Sequence, residues 1–216
     1  MKENNTTIYG NIHFDNKWIC ISNHKVASTT LSCVLKKNGG FGKRDWYEVD
    51  VNQFNFIFTF VRNPYDRIVS RFLHLKRRIG EINGLIDEDE TKQTHADKNL
   101  LSFFGKYNVK VDEFNFNKFV RFTQTHWDDH WESQYSKFER QLGSLSKLNF
   151  VGRYENLQND FAKLCKMLKL EIKELLHVNK SNYQRDYVQY YDTETIKLVT
   201  DIYRKDIDYF EYKFNK

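Results

Sequence analysis

Two stretches of the chain set cations and hydroxyls at the start of a helix. The first is ISNHKVASTTL, Ile21 to Leu31. The apolar run Lys17 to Ser22 reads as a short buried strand. A helix pattern follows from about Ser28 to Lys37 and stops at Gly39 and Gly40. Strand, short loop and helix suit phosphate or sulfate, because loop N–H groups and the positive end of the helix converge on the anion. The loop holds His24, Lys25, Val26 and Ala27, and the helix opens with Ser28, Thr29 and Thr30. Lys25 supplies a mobile charge and the hydroxyls supply donors. Taken alone, the same residues also describe an ordinary helix start capped by Ser and Thr. The loop has no glycine, whereas the ATP- and GTP-binding pattern G-x-x-x-x-G-K-[ST] needs two, so that reading is weak.

The second stretch is FTFVRNPYDRIVSRF, Phe58 to Phe72. Arg62 stands at the carboxyl end of the clearest strand in the chain, Asn55 to Val61, where open α/β sheets bind ligands. Asn63 is a good N-cap and Pro64 suits the first helical position. Tyr65, Ile68, Val69 and Phe72 share one face of the helix, which leaves Ser70 on another. An arginine fork and a hydroxyl can hold a second phosphate. The plain alternative is a solvated Ser70 and an Arg62 paired with a carboxylate.

Helical patterns also run near Asp112 to Phe122, through Leu157, Phe161, Leu164 and Leu168, and from about Thr193 through Ile196, Val199 and Ile202. Leu148 to Val151 reads as a strand. Strands alternating with helices point to an α/β fold with a parallel sheet flanked by helices. The length of 216 residues suits a single domain, 1–216. Residues 79–98 are polar without sustained period and read as a mobile insertion.

The formal charge of +5 favours anionic ligands. Its one tight cluster, Lys76-Arg77-Arg78, is not the stripe of a nucleic-acid binder, so no nucleic-acid partner is expected. Three cysteines without a CxxC argue against a disulfide framework or a zinc site. His126 and His130 are four apart, but HWDDH lacks the Glu of H-E-x-x-H, so no metal is expected. No apolar run approaches the length of a membrane span, and MKENNTTIYG lacks the apolar core of a secretion signal. The expectation is a soluble, cytoplasmic protein with no integral membrane segment.

These residues also carry a resemblance. KVAST, Lys25 to Thr29, resembles the 5′-phosphosulfate loop of sulfotransferases that use 3′-phosphoadenosine-5′-phosphosulfate (PAPS). VRNPYDRIVSRF resembles their 3′-phosphate motif. DDHWESQ (from Asp128), FVGRYENLQNDF (Phe150 to Phe161) and IYRKDIDYFEY (Ile202 to Tyr212) resemble three further segments of the Golgi-type carbohydrate sulfotransferases and their bacterial relatives. The five matches run in family order. His24 stands where that family commonly has Pro, and Phe138 lies near the position of a family cysteine.

The resemblance implies a P-loop-like form of the parallel sheet flanked by helices, PAPS as donor, PAP (adenosine 3′,5′-bisphosphate) as product, and a hydroxyl acceptor, a carbohydrate above all. It implies that Lys25 serves the sulfuryl oxygens and the leaving phosphate. Val26, Ala27, Ser28, Thr29 and Thr30 would cradle the 5′-phosphosulfate, Arg62 and Ser70 would hold the 3′-phosphate, and Lys180 and Ser181 would close over the nucleotide. His130 is the first candidate for the general base, because imidazole is poised near neutral pH, and Glu48 is its rival. Trp127 or Trp131 can offer a stacking wall for a sugar. The alternatives are a nucleotide kinase-like phosphotransferase, or a binding protein that keeps the PAPS site without catalysis.

Overall fold

In a computed structural model, residues 5–15, 17–37, 41–88, 114–171 and 186–215 are described. Five strands, β1 (Thr6–His13), β2 (Trp18–Ile21), β3 (Phe41–Val49), β4 (Phe56–Val61) and β5 (Phe150–Arg153), form one sheet in the order β3-β1-β2-β4-β5. β2, β4 and β5 are parallel, as expected of the fold class. β1 pairs antiparallel with both β2 and β3, so the sheet is mixed. This antiparallel ribbon escapes sequence reading because TTIYGNIH and FGKRDWYEV interrupt their apolar positions with Gly, Asn and charge.

The inner strands are buried on both faces, so WICI and FIFTFV read as runs and not as alternations. Ile19, Ile21, Ile57 and Val61 face one way, against Phe138 and Leu142 of α4 (Gln134–Leu142) and Phe210 beyond α7 (Arg204–Tyr209). Trp18, Cys20, Phe58 and Phe60 face the other way, against Leu31 and Leu35 of α1 (Ser28–Lys37) and Phe161 and Leu164 of α5 (Leu157–Leu168). Gly152 on β5 leaves room for the Phe60 ring, which any Cβ there would strike.

A third cluster packs Ile68, Val69 and Phe72 of α2 (Pro64–Glu88) against Phe119 and Val120 of α3 (Phe116–Thr125) and Val199 of α6 (Thr193–Ile202). α2 is longer than the sequence suggests, and residues 79–88, read as loop, continue it to Glu88. Ile79, Ile82 and Ile86 hold helical spacing beneath a polar composition. Residues 89–98 of the expected insertion lie outside the described residues. Among the described residues, no helix is long and apolar enough to cross a membrane.

Candidate functional site

Because β2 and β4 are parallel neighbours, the loops at their carboxyl ends lie side by side. Ser22 to Ala27 follow β2, and Arg62 and Asn63 follow β4. The first loop bends without glycine by placing Lys25 and Ala27 in the left-handed region, at φ 65° and 61°. Such turns aim successive N–H groups to one side, at the point where α1 presents its positive end. Val26 contributes backbone here, since its side chain is buried among Leu31, Phe58 and Phe161. At the helix start Thr29 is exposed and Ser28 half-buried, whereas Thr30 is 3% exposed and faces inward.

Arg62 is committed inside the protein. Its Nε donates to Asp66 Oδ2 at 2.8 Å, its Nη1 donates to the Lys25 carbonyl at 2.9 Å, and its guanidinium lies 4.1 Å over the Tyr154 ring. It therefore ties the two loops together. Ser70 is partly exposed on α2. Lys180 and Ser181 lie outside the described residues.

Gln134, the last residue of DDHWESQ, is fully buried and knots the site together. Its Oε1 accepts from Asn23 Nδ2 at 2.8 Å and from the Arg62 N–H at 3.0 Å. Its Nε2 donates to the Arg62 carbonyl at 2.8 Å and to Asp206 Oδ2 at 3.3 Å. Asp206, from the C-terminal segment, also accepts from Ser133 Oγ and from the Gln134 and Tyr135 N–H groups at the start of α4. Glu155, from the Val-Gly segment, accepts from the Asn63 N–H at 2.6 Å and from the Tyr212 hydroxyl at 3.2 Å. The quoted segments thus meet in space. Asn23, Glu155 and Asp206 lie inside those segments, but nothing in their residue type singles them out.

The turn between α3 and α4 brings His130 beside His24, with ring centroids 4.1 Å apart. His130 Nδ1 sits 2.7 Å from Asp128 Oδ1 and 2.9 Å from Asp129 Oδ1. His24 Nε2 is 3.2 Å from Asp129 Oδ2. Burial works to lower the His130 pKa, but the two carboxylates outweigh it and the net shift is upward. Hydrogen bonds from His130 and His24 hold the Asp129 carboxyl far below the usual range. Burial pushes His24 down to about 4, so it is neutral at pH 7 and its Nε2–H donates to Asp129. With Nδ1 held by carboxylates, His130 turns its other nitrogen into the role of proton acceptor. No described residue hydrogen-bonds that Nε2.

His24, Asp129 and His130 hold their ligating atoms within 4.8 Å of one another, close enough to share a cation. Hydrogen bonds account for each short contact, and the nearby positive charge of Arg71 opposes a divalent ion. His126, the partner weighed from sequence, stacks instead on Phe122 at 4.1 Å.

The cations around this centre are crowded. Burial first, then Arg71, Arg62 and Arg77, lower Lys25 to about 7. Burial, Lys25, Arg71, Arg77 and Arg78 push His74 to about 3. Lys137 on α4 is wholly buried, its Nζ has no hydrogen-bond partner, and burial lowers it to about 8. Positive charges collected this closely favour a polyanion. Arg71 and Lys137 escape sequence reading because a charged residue on an amphipathic helix is usually solvated.

Of the aromatic candidates, Trp131 is core, only 4% exposed. Trp127 is 72% exposed. Trp46 on β3 is 46% exposed and lies 5.1 Å from Tyr9, whose ring stacks on His24 at 5.6 Å. Glu48 is exposed two residues further along β3, on the same face as Trp46.

The sequence pattern of the sulfotransferase family matches residues 15–213. Over 135 residues the chain is 30% identical to an uncharacterized protein of Archaeoglobus fulgidus, which spans 60% of this chain and 82% of that protein. No solved structure matches.

Proposed function

Since the chain belongs to the sulfotransferase family, we propose that it moves a sulfuryl group from PAPS to a hydroxyl of a carbohydrate. The observation that carries this reading is the pair of strand–helix joints joined by Arg62 and Lys25, with the Lys25 ammonium depressed by burial and by neighbouring cations. Such a site gains most from a ligand with several negative charges at fixed spacing. PAPS supplies two anionic groups and a sulfuryl group attached to a good leaving phosphate.

In this reading the N–H groups of Val26 to Thr30 and the hydroxyls of Ser28 and Thr29 hold the 5′-phosphosulfate. Lys25 neutralises the oxygen that bridges phosphorus and sulfur, and so stabilises the leaving group. Ser70 and the remaining donors of Arg62 take the 3′-phosphate, with Arg62 keeping the Lys25 carbonyl in place. Lys180 and Ser181 are proposed to close over the nucleotide.

His130 is the base. Asp128 and Asp129 fix its Nδ1, so its Nε2 accepts the acceptor's proton. Glu48, on the exposed rim of β3, lacks such an orienting partner among the described residues and suits the acceptor side better. A sugar ring is supported as acceptor by two exposed aromatic faces, Trp46, linked to His24 through Tyr9, and Trp127, three residues before His130 in sequence. No metal is needed, because protein cations meet the charge that develops.

The test combines calorimetric titration with PAP and transfer of labelled sulfate from PAPS to a glycan panel. Tight PAP binding with label in a glycan is the expected result. Absence of PAP binding would sink the donor assignment, and binding without transfer to any hydroxyl acceptor would support a non-catalytic binding protein.

A further inference from the structure

We infer that Arg71 grips the sulfuryl oxygens during transfer, as a second cation opposite Lys25 and on the acceptor's side of the donor. This rests on the donor reading above. Arg71 follows Ser70 on α2 and is not part of the motif's Arg and Ser pair. Its guanidinium rests against the face of Trp131, 5.7 Å from the ring centroid. Its Nε is buried and has no hydrogen-bond partner. Among the described residues, none hydrogen-bonds any nitrogen of this guanidinium, and no carboxylate comes within ion-pair distance. A buried Nε–H without an acceptor is costly, an anion relieves that cost, and the rest of the half-buried guanidinium offers further donors to the same anion.

The surroundings say which anion. Arg71 is the cation that bears most on Lys25, at the donor loop. It also bears on Asp128 and on His130, at the base. The nearby carboxylates are already occupied, Asp128 by His130 and Asp129 by both histidines. Arg71, seated on Trp131 next in sequence to His130, is therefore within electrostatic reach of both the loop that would hold the leaving phosphate and the imidazole that would take the proton. The group that passes between those two points is the sulfuryl group. Its three outer oxygens carry charge in flight, and a planar fork matches two of them.

The step balances without a redox partner. The acceptor oxygen forms a new bond to sulfur, and its proton passes to His130 Nε2. The bond from sulfur to the bridging oxygen breaks, and its electron pair stays on the 5′-phosphate of PAP beside Lys25. Arg71 neither gives nor takes an atom. It meets the charge on the transferring oxygens while both sulfur–oxygen bonds are partial.

PAP lacks the sulfuryl group, which makes the test direct. Affinities for PAP and PAPS are measured calorimetrically for the wild type, Arg71→Ala and Arg71→Lys, and turnover is measured with labelled PAPS and mixed glycans. Arg71→Ala is expected to lose about 100-fold in turnover, to weaken PAPS, and to hold PAP within about twofold of the wild type. Arg71→Lys is expected to recover part of the turnover. Retained PAP affinity also shows that the variant is folded. A parallel loss of PAP affinity would overturn the assignment, because Arg71 would then serve the phosphates or the fold. So would unchanged turnover, or a loss confined to the acceptor KM, which would place an acidic group of the acceptor on Arg71. If the wild type itself binds neither nucleotide, the donor reading has failed, and this assignment falls with it for that separate reason.

Discussion

The two sides of the site handle polar groups in opposite ways. Behind the loops, the buried Gln134, Asp206 and Asn63, with the Glu155 carboxylate at the rim, form a network in which the functional atoms find partners. In front of them, Lys137 and Arg71 keep nitrogens without partners, and Lys25 is crowded by like charge. A satisfied network rigidifies and stabilises. A crowd of unpaired cations costs stability and persists only where a ligand uses it. The rear is scaffold, and the front is a socket kept in a poor state so that an anion improves it.

The largest effect is expected from Lys25→Ala. Transfer should fall by at least about 1,000-fold, roughly 4 kcal/mol of barrier, while the melting temperature stays the same or rises. Full activity would overturn the role given to the loop. The rear should answer in the opposite way. Asp206→Ala removes the acceptor of the Ser133, Gln134 and Tyr135 donors, which leaves the Gln134 N–H buried without a partner and the other two half-buried without one. The expected loss is about 3 kcal/mol, seen as a fall of about 10 °C in the melting temperature. A melting temperature within a degree of wild type would show that the network is not what holds the loops.

The two sides also differ in how far the sequence reveals them. The donor loop, the Arg62 and Ser70 helix, and the three later segments are legible because each is local: a strand, a turn and a cap within a dozen residues. The meeting of His24 with Asp129 is not, since 105 positions separate them. β1 and β3 are hidden because a polar antiparallel ribbon at a sheet edge has little apolar alternation to read. Arg71 and Lys137 are hidden because nothing local says that a helix face is buried. Gln134 and Asp206 sit inside recognisable segments, but only the fold shows that they bond to each other.

Titration sharpens the comparison on the front side. His130 must lose its proton to act as base, and carboxylates raise its pKa above the ordinary histidine value. Lys25 must keep its proton to bind the donor, and in the free protein it loses it at about 7. The rate at low donor concentration should therefore rise with pH on the His130 limb and fall on the Lys25 limb, with a maximum near neutrality. His130→Gln should cost about 100-fold and remove the acid limb. Lys25→Arg should move the alkaline limb upward, because a guanidinium stays charged. An unchanged profile in both variants would detach these residues from the chemistry.

Lys137→Met asks whether the strain on the front is real. The buried Nζ has no hydrogen-bond partner and faces the Tyr9 ring at 5.3 Å. An apolar side chain of similar length should raise stability by about 1 kcal/mol. A clear loss would mean that this lysine belongs with the satisfied scaffold.

The smallest effect is expected at Ala27, where the loop holds a left-handed backbone without glycine. A side chain in that conformation costs roughly 1 kcal/mol, and glycine would remove it. Glycine also loosens the unfolded chain, at about 0.5–1 kcal/mol. The two terms nearly cancel, so Ala27→Gly should leave both stability and PAP affinity close to wild type. Ala27→Val keeps the conformational cost and adds a branched side chain beside the anion site, so it should lose both. Equal behaviour of the two variants would mean that the loop reaches its anion-binding shape by some route other than the left-handed turn at Ala27.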